Sequence, residues 1–244
     1  MNPGRQLMPE NHPRARRPEA GMPAIAIAGA GPGLGLSIAR IFGHQGFAVA
    51  LVARDQDKLD GLVVHLAEDG IEAAGFPADV MDRPTLVEAF NGIKDRYGDI
   101  DVLEYSPAPH SPVPGVTMAD ALGVTVGNVR AQLEFYLYGA ITAVRQVLPA
   151  MIERGHGTLL FSTGASSVNP MPMMGNVGIA SAGLRNWVLN LNQVLAGQGV
   201  YVAHIPLAVW IGRGGPESQP DTIAQLYWDL YTTRTEAEHL YNAL

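Results

Sequence analysis

Short apolar runs alternate along the chain with longer segments whose apolar residues recur every three or four positions. Ala24–Ala28, Ala48–Val52, Ala73–Pro77, Ile100–Tyr105, Thr158–Phe161 and Val200–Ile205 read as strands buried on both faces, because none shows the polar alternation of a half-exposed strand. Between them, Ser37–Phe42 and a segment from about Asp57 to Glu68 read as helices. Asp82 is placed to cap a third, with Leu86, Val87, Phe90 and Ile93 on one side. A long helical stretch is expected from Asp120 to Arg154, broken near Gly123, and another from Asn176 to Ala196, ended by Gly197. A helix starting near Asp221 and a second, polar one reaching Leu244 complete the expectation. Strands alternating with helices imply an α/β fold: a Rossmann-type, doubly wound parallel sheet in a single domain over residues 23–244, with 207–244 as a helical lid.

One stretch organises the rest. Ala28-Gly29-Ala30-Gly31-Pro32-Gly33-Leu34-Gly35 joins the first strand to the first helix. Glycines permit a tight turn and close approach of a pyrophosphate, and the free N–H groups at the helix start attract that anion. A structural turn without ligand is the alternative, but the strand before it and the helix after it supply the context that dinucleotide binding needs.

Composition narrows the function. The net charge of −7 gives no electrostatic case for nucleic acid or an anionic membrane, and no apolar run in the sequence reaches membrane-spanning length. The chain has no cysteine, which excludes disulfides and thiolate chemistry and fits a reducing cytoplasm; no metal set is expected. Residues 1–22 carry Pro3, Pro9, Pro13, Pro18 and the arginines 14, 16 and 17, without the apolar centre of a secretion signal, and read as a flexible tail.

With Gly29, Gly33 and Gly35 at the spacing Gly-x-x-x-Gly-x-Gly, residues 24–211 resemble the short-chain dehydrogenase/reductase family. That resemblance implies a nicotinamide cofactor held by Gly29, Gly31, Gly33, Leu34 and Gly35. Ala53 stands where an acidic residue would bind the ribose hydroxyls of NAD, and Arg54 follows it. A guanidinium suits a 2′-phosphate, so NADP is favoured over NAD. Ala78-Asp79-Val80 resembles the family's adenine-contacting segment, with Asp79 accepting from the base and Val80 packing on it.

The catalytic half departs from the pattern. The family places a tyrosine and a lysine four residues apart on the helix after the fifth strand; Ile179 and Gly183 stand there, and neither carries a proton. The family's asparagine position holds Tyr136. Its serine position is Gly164 counted forward from the fifth strand and Ser166 counted back from Ile179, with Ser162, Thr163 and Ser167 close by. Tyr105-Ser106-Pro107-Ala108 replaces Asn-Asn-Ala-Gly, Leu207-Ala208 replaces the Pro-Gly after the sixth strand, and the family's last strand has no visible counterpart in Thr235–Leu244.

Tyr136 and Ser166 are the candidate catalytic residues. Tyr136 reads equally as a core aromatic. Tyr105, His110 and Asn176 are lesser candidates. Met171, Met173 and Met174 form an apolar lip, and Trp210, Tyr227, Trp228 and Tyr231 lie where a lid would fold, which suits an apolar or aromatic small-molecule substrate. The long helices suit a homodimer. Three functions remain open on these residues: an NADP(H)-dependent oxidoreductase with a relocated proton donor; a lyase, isomerase or cyclase on the same scaffold; and a retired enzyme that binds the nucleotide as a sensor or partner subunit.

Overall fold

A computed structural model describes residues 21–108 and 113–244; the expected tail, but for residues 21 and 22, and His110 lie outside the described residues. Seven parallel strands form one sheet in the order β3-β2-β1-β4-β5-β6-β7. They are β1 (Ala24–Ala28), β2 (Ala48–Ala53), β3 (Ala73–Pro77), β4 (Ile100–Tyr105), β5 (Gly157–Gly164), β6 (Val200–Ala208) and β7 (Tyr241–Asn242). The order reverses beside β1, so the carboxyl ends of β1 and β4 border a crevice open to a ligand.

The apolar runs are continuous because both faces of each central strand are covered. Ala26, Val52, Leu103, Phe161 and Val202 face α3 (Arg83–Tyr97), α5 (Gly139–Arg154) and α6 (Gly175–Leu195). Ile27, Leu51, Val102, Leu160 and Ala203 face α1 (Leu34–His44), α2 (Gln56–Glu68) and α7 (Pro220–Thr233). Apolar side chains from both directions thus make two layers of core around one sheet.

The long central helix begins later than expected. Thr125 and Asn128 form a reciprocal cap, and α4 (Val126–Gln132) starts there rather than at Asp120. A wide, π-type segment, Leu133–Tyr138, then leads into α5. The Tyr105 hydroxyl, fully buried, donates to the Phe135 carbonyl within that segment at 3.0 Å. Val126–Arg154 forms 29 continuous helical residues, by length and composition alone long and apolar enough to cross a membrane, where the sequence reading expects no run of that length. Phe135, Ala140, Ala143, Val144 and Met151 of this helix are packed in the core of the sheet.

The chain's end departs most from the pattern. α6 gives way to a 3-10 turn at Ala196–Gln198, and the left-handed Gly199 (φ 75°), rather than Gly197, ends it. α7 is not a lid. It packs along α1, where Trp228 and Tyr231 meet Phe42 edge-on at 5.3 and 5.4 Å, and Tyr227 is fully buried. Arg234 turns the chain in the left-handed region (φ 53°), and no second helix follows. Segment 235–244 lies along the edge of β6 instead, with His204 N–H to the Ala237 carbonyl and His239 N–H to the His204 carbonyl, both 3.0 Å. Its β7 pairs with Leu207 and Ala208. The segment's helix-forming composition is overridden because the edge of β6 offers unpaired backbone groups.

A packing helix and a lid answer differently to truncation. Trp228→Ala is expected to cost about 3 kcal/mol of stability, measured by urea unfolding, with nucleotide affinity unchanged.

Candidate nucleotide and active site

The carboxyl ends of β1, β2 and β4 open onto a cavity of about 630 Å³. Its floor is the glycine turn, residues 29–33. Gly29 (φ 105°) could not be another residue: a side-chain carbon there would lie 2.6 Å from the Pro107 nitrogen. Gly35 brings α1 onto the turn, since its added carbon would stand 3.2 Å from the Ala30 Cα. Gly33 has open space around it and Gly31 lines the cavity. Leu34 does not line it among the described residues; it begins α1 and packs into the core.

Arg54 lines the cavity at the end of β2, and α2 contributes Lys58, Leu62 and His65 from one face. Asp55 also borders it, but this carboxylate caps α2 by accepting the Lys58 N–H and pairs with the Lys58 ammonium at 3.1 Å. Those contacts hold its carboxyl below the usual range and compensate its charge. Lys58 and His65 escaped the sequence reading. Their i, i+7 spacing after Arg54 was the available signal.

Ala78 and Val80 line the opposite wall. Asp79 sits between them with Oδ1 accepting the Met81 N–H at 2.9 Å, so part of its carboxylate holds its own turn.

Among the described residues, neither Tyr136 nor Ser166 lines this cavity, nor do Ile179 and Gly183. Ile179 is 47 % exposed near the start of α6, and a side-chain carbon at Gly183 would meet Leu137 at 3.7 Å. Ser166 lies on a 3-10 turn, Ala165–Ser167, and its hydroxyl is buried without a hydrogen-bond partner among the described residues, as is that of Ser181. Tyr136 packs edge-on against Phe135 at 4.9 Å, and burial raises its phenol pKa. Phe135 lines the cavity and Leu137 touches the Gly183 position, so the π segment bridges the cavity and α6.

Two lesser candidates are corrected. Tyr105 does not wall the cleft, because its ring is buried and its hydroxyl is committed to Phe135. Asn176 neither orients a water nor caps α6. Fully buried, it accepts the Ala119 N–H at 2.9 Å and donates to the Thr117 carbonyl at 2.8 Å, clasping that loop. Met173 and Trp210 stay exposed, at 61 % and 71 %, while Tyr227, Trp228 and Tyr231 belong to the α7 packing.

Beneath the crevice lies a group absent from the sequence reading. Glu104 is fully buried, with the Ser106 hydroxyl donating to Oε2 at 2.9 Å and the Ser162 hydroxyl to Oε1 at 3.3 Å. Ser162 in turn lies 2.6 Å from the Tyr227 hydroxyl. Burial pushes the Glu104 carboxyl up to about 8, against those two hydrogen bonds. A glutamate inside the run Ile-Asp-Val-Leu-Glu-Tyr was the visible signal.

A parallel sheet ending in a glycine turn, with cationic side chains at the far end of the cavity, defines a dinucleotide-binding α/β domain. Residues 23–209 match the short chain dehydrogenase family, and the chain belongs to it. A ketoacyl reductase of Streptomyces coelicolor is 34% identical over 136 residues, which span 55% of this chain and 50% of that protein. An NADP-dependent 3-hydroxy acid dehydrogenase of Salmonella typhi is 29% identical over 182 residues, 74% of this chain and 70% of that one. In fold, an actinorhodin polyketide ketoreductase solved with NADPH covers 91% of this chain and 95% of its own at a TM-score of 0.79 and 22% identity.

The Glu104 carboxyl binds its proton more tightly in the folded chain, at about 8, than at its ordinary 4.5. Its contribution to stability is therefore complete below about pH 4.5 and is lost as pH rises through about 8. Urea midpoints should fall between about pH 5 and pH 9 in the native protein. Glu104→Gln should flatten that fall and exceed the native midpoint at the alkaline end.

Proposed function

We propose that this protein is an NADP(H)-dependent oxidoreductase acting on a small carbonyl compound or alcohol through a non-standard active site. The observation that carries the cofactor choice is the cationic end of the cavity. Arg54 leads it, with Lys58 and His65 on the neighbouring helix face; Lys58 pairs with Asp55 and His65 faces Glu68 at 3.5 Å, so Arg54 is the cation this reading rests on. A 2′-phosphate is the anion that such a cluster selects. The relatives solved or named with NADPH and NADP support the same choice.

Gly29, Gly31, Gly33, Leu34 and Gly35 form the pyrophosphate turn in this reading, and Asp79 and Val80 face the adenine. Ser166 steadies the substrate oxygen; its unpartnered buried hydroxyl supports that role. Tyr136 donates the proton in the reductive direction. A phenol whose pKa is raised by burial keeps its proton until an alkoxide, the stronger base, forms beside it. The substrate is apolar or aromatic, matching Met171, Met173, Met174 and Trp210. Exposed Val126 and Ile152 on the outer side of the long helix suit a homodimer, and a chain without cysteine suits the cytoplasm.

The apolar pair Ile179 and Gly183 favours a second reading: a non-redox enzyme, or a nucleotide-binding subunit without turnover. Substrate conversion with no change in nicotinamide absorbance, or tight binding with no conversion, would establish it.

Nicotinamide fluorescence titrations test the cofactor. Arg54→Ala should weaken NADPH binding about tenfold and leave NADH within about threefold; equal weak binding of both by the native protein would remove the role of Arg54. With an aromatic ketone, Tyr136→Phe should lower kcat about a hundredfold at unchanged NADPH affinity.

A further inference from the structure

Outside the nucleotide cavity, five side chains form one continuous polar chain. Arg185 on α6 holds Glu238 through two bonds, Nε to Oε2 at 2.5 Å and Nη2 to Oε1 at 2.8 Å. Glu238 Oε2 lies 2.9 Å from His204 Nδ1 on β6. His204 Nε2 lies 2.9 Å from the Thr163 hydroxyl on β5. Thr163 is 2.8 Å from the Ser167 hydroxyl, which donates to the Gly164 carbonyl at 3.0 Å. The imidazole is fully buried, and Thr163 and Ser167 nearly so.

The chain ends in the turn that carries Ser166. Within that turn, the Val168 and Asn169 N–H groups both return to the Ala165 carbonyl, at 3.0 and 2.8 Å. Ser167 joins this turn by side-chain hydrogen bonds to Thr163 and to the Gly164 carbonyl at the end of β5. At the other end, Glu238 belongs to the closing segment that lies along β6.

A count of hydrogens shows what the chain requires. Glu238 is ionised, because Arg185 beside it holds its pKa down, so it only accepts. From Glu238 to the Gly164 carbonyl there are four successive contacts. Each needs one hydrogen. Thr163 and Ser167 supply one each, so the imidazole must supply two. A neutral imidazole supplies one, and one contact is then left with two lone pairs facing each other. The groups facing His204 are Glu238 from the closing segment, Arg185 from α6 and Thr163 from β5. Burial, the largest influence, together with Arg185 outweighs Glu238 and lowers the ring's pKa below its ordinary value, so the second proton binds on acidification.

We propose that Arg185, Glu238, His204, Thr163 and Ser167 form a positioning relay that ties the closing segment to the Ser166 turn, and that a second proton on His204 completes it. The functional value of the relay rests on the reading of Ser166 as the hydroxyl that meets substrate; its existence does not. In the relay, His204 and Thr163 are positioning residues and touch neither cofactor nor substrate.

Amide hydrogen exchange at Val168 and Asn169 in the full-length protein reads the relay without any substrate. Thr163→Val cuts it midway and leaves Glu238 and the closing segment on His204. Protection of the two turn amides, corrected for the intrinsic rate, should fall about fivefold, the loss of one hydrogen bond, while the His239 amide stays protected. Thr163→Ser restores the hydroxyl and should restore protection. Ser167→Ala removes the last link and should match Thr163→Val, which keeps the test open if valine at 163 does not fold. Unchanged protection in Ser167→Ala, or a serine variant as loose as the valine one, overturns the proposal. Nitrogen NMR of the His204 ring follows its second proton, and native protection should rise as that proton binds; protection indifferent to it overturns the protonation step. Full ketone turnover by Ser166→Ala would instead sink the substrate-facing reading, and the exchange results would still decide the relay.

Discussion

Everything at the ligand edge depends on how closely the ends of β1, β2 and β4 converge. The Val52 carbonyl accepts both the Gly29 and the Ala30 N–H, at 2.9 and 3.1 Å, so the chain leaving β1 is pulled toward β2. On its other side Gly29 lies against the Pro107 backbone, in contact too close for any side chain. Ser106 N–H to the Ala28 carbonyl at 2.9 Å holds β4 in register beneath it. These contacts aim the start of α1 into the crevice, where its unpaired N–H groups can meet an anion. Proline at 107 has no N–H of its own to offer a ligand, so the glycine turn carries more of that task here.

The sheet's interior is apolar from β1 to β3 and polar where β4, β5 and β6 end. Adjacent residues of one strand separate two polar systems. Ser162 points to the α7 face and joins Glu104 and Tyr227; Thr163 points to the α6 face and joins His204 and Glu238. Strand pleat alone places neighbours on opposite sides. Each system therefore fastens a different helix layer to the same short length of β5. Buried polar groups cost stability unless satisfied, and here satisfaction comes from elements far apart in sequence. The end of β5 is thus held from both faces, and the turn bearing Ser166 leaves from it.

Much of this was legible in the sequence. The strands that build the sheet's centre announced themselves through unbroken apolar runs, and the glycine turn through its flanks. The glycine turn and the cavity above it could be read because they follow from backbone and local spacing. What was illegible depends on long-range pairing. Segment 235–244 has the composition of a polar helix, and only the unsatisfied edge of β6 makes it a strand. Tyr227, Trp228 and Tyr231 look like lid aromatics in sequence and become packing once α7 meets Phe42 and Phe47. Glu104 and His204 are visible as polar residues in apolar runs, but their partners come from Ser162, Tyr227, Thr163 and Glu238, which spacing cannot connect.

The tyrosine and lysine that the sequence reading finds replaced by Ile179 and Gly183 have a physical reading of their own. Steric pressure does not explain their loss. Ile179 is half exposed, and an added carbon at Gly183 would make an ordinary contact with Leu137. Neither position is closed by its immediate neighbours. A lysine beside the crevice would hold a tyrosine's pKa down and favour proton exchange in both directions. Without it, burial raises the phenol pKa of Tyr105, Tyr136 and Tyr227. A phenol raised in this way is a weaker acid and gives its proton only to a stronger base such as an alkoxide. On the reading of Tyr136 as proton donor, the departure at Ile179 and Gly183 leaves its proton transfer governed by burial rather than by a neighbouring ammonium.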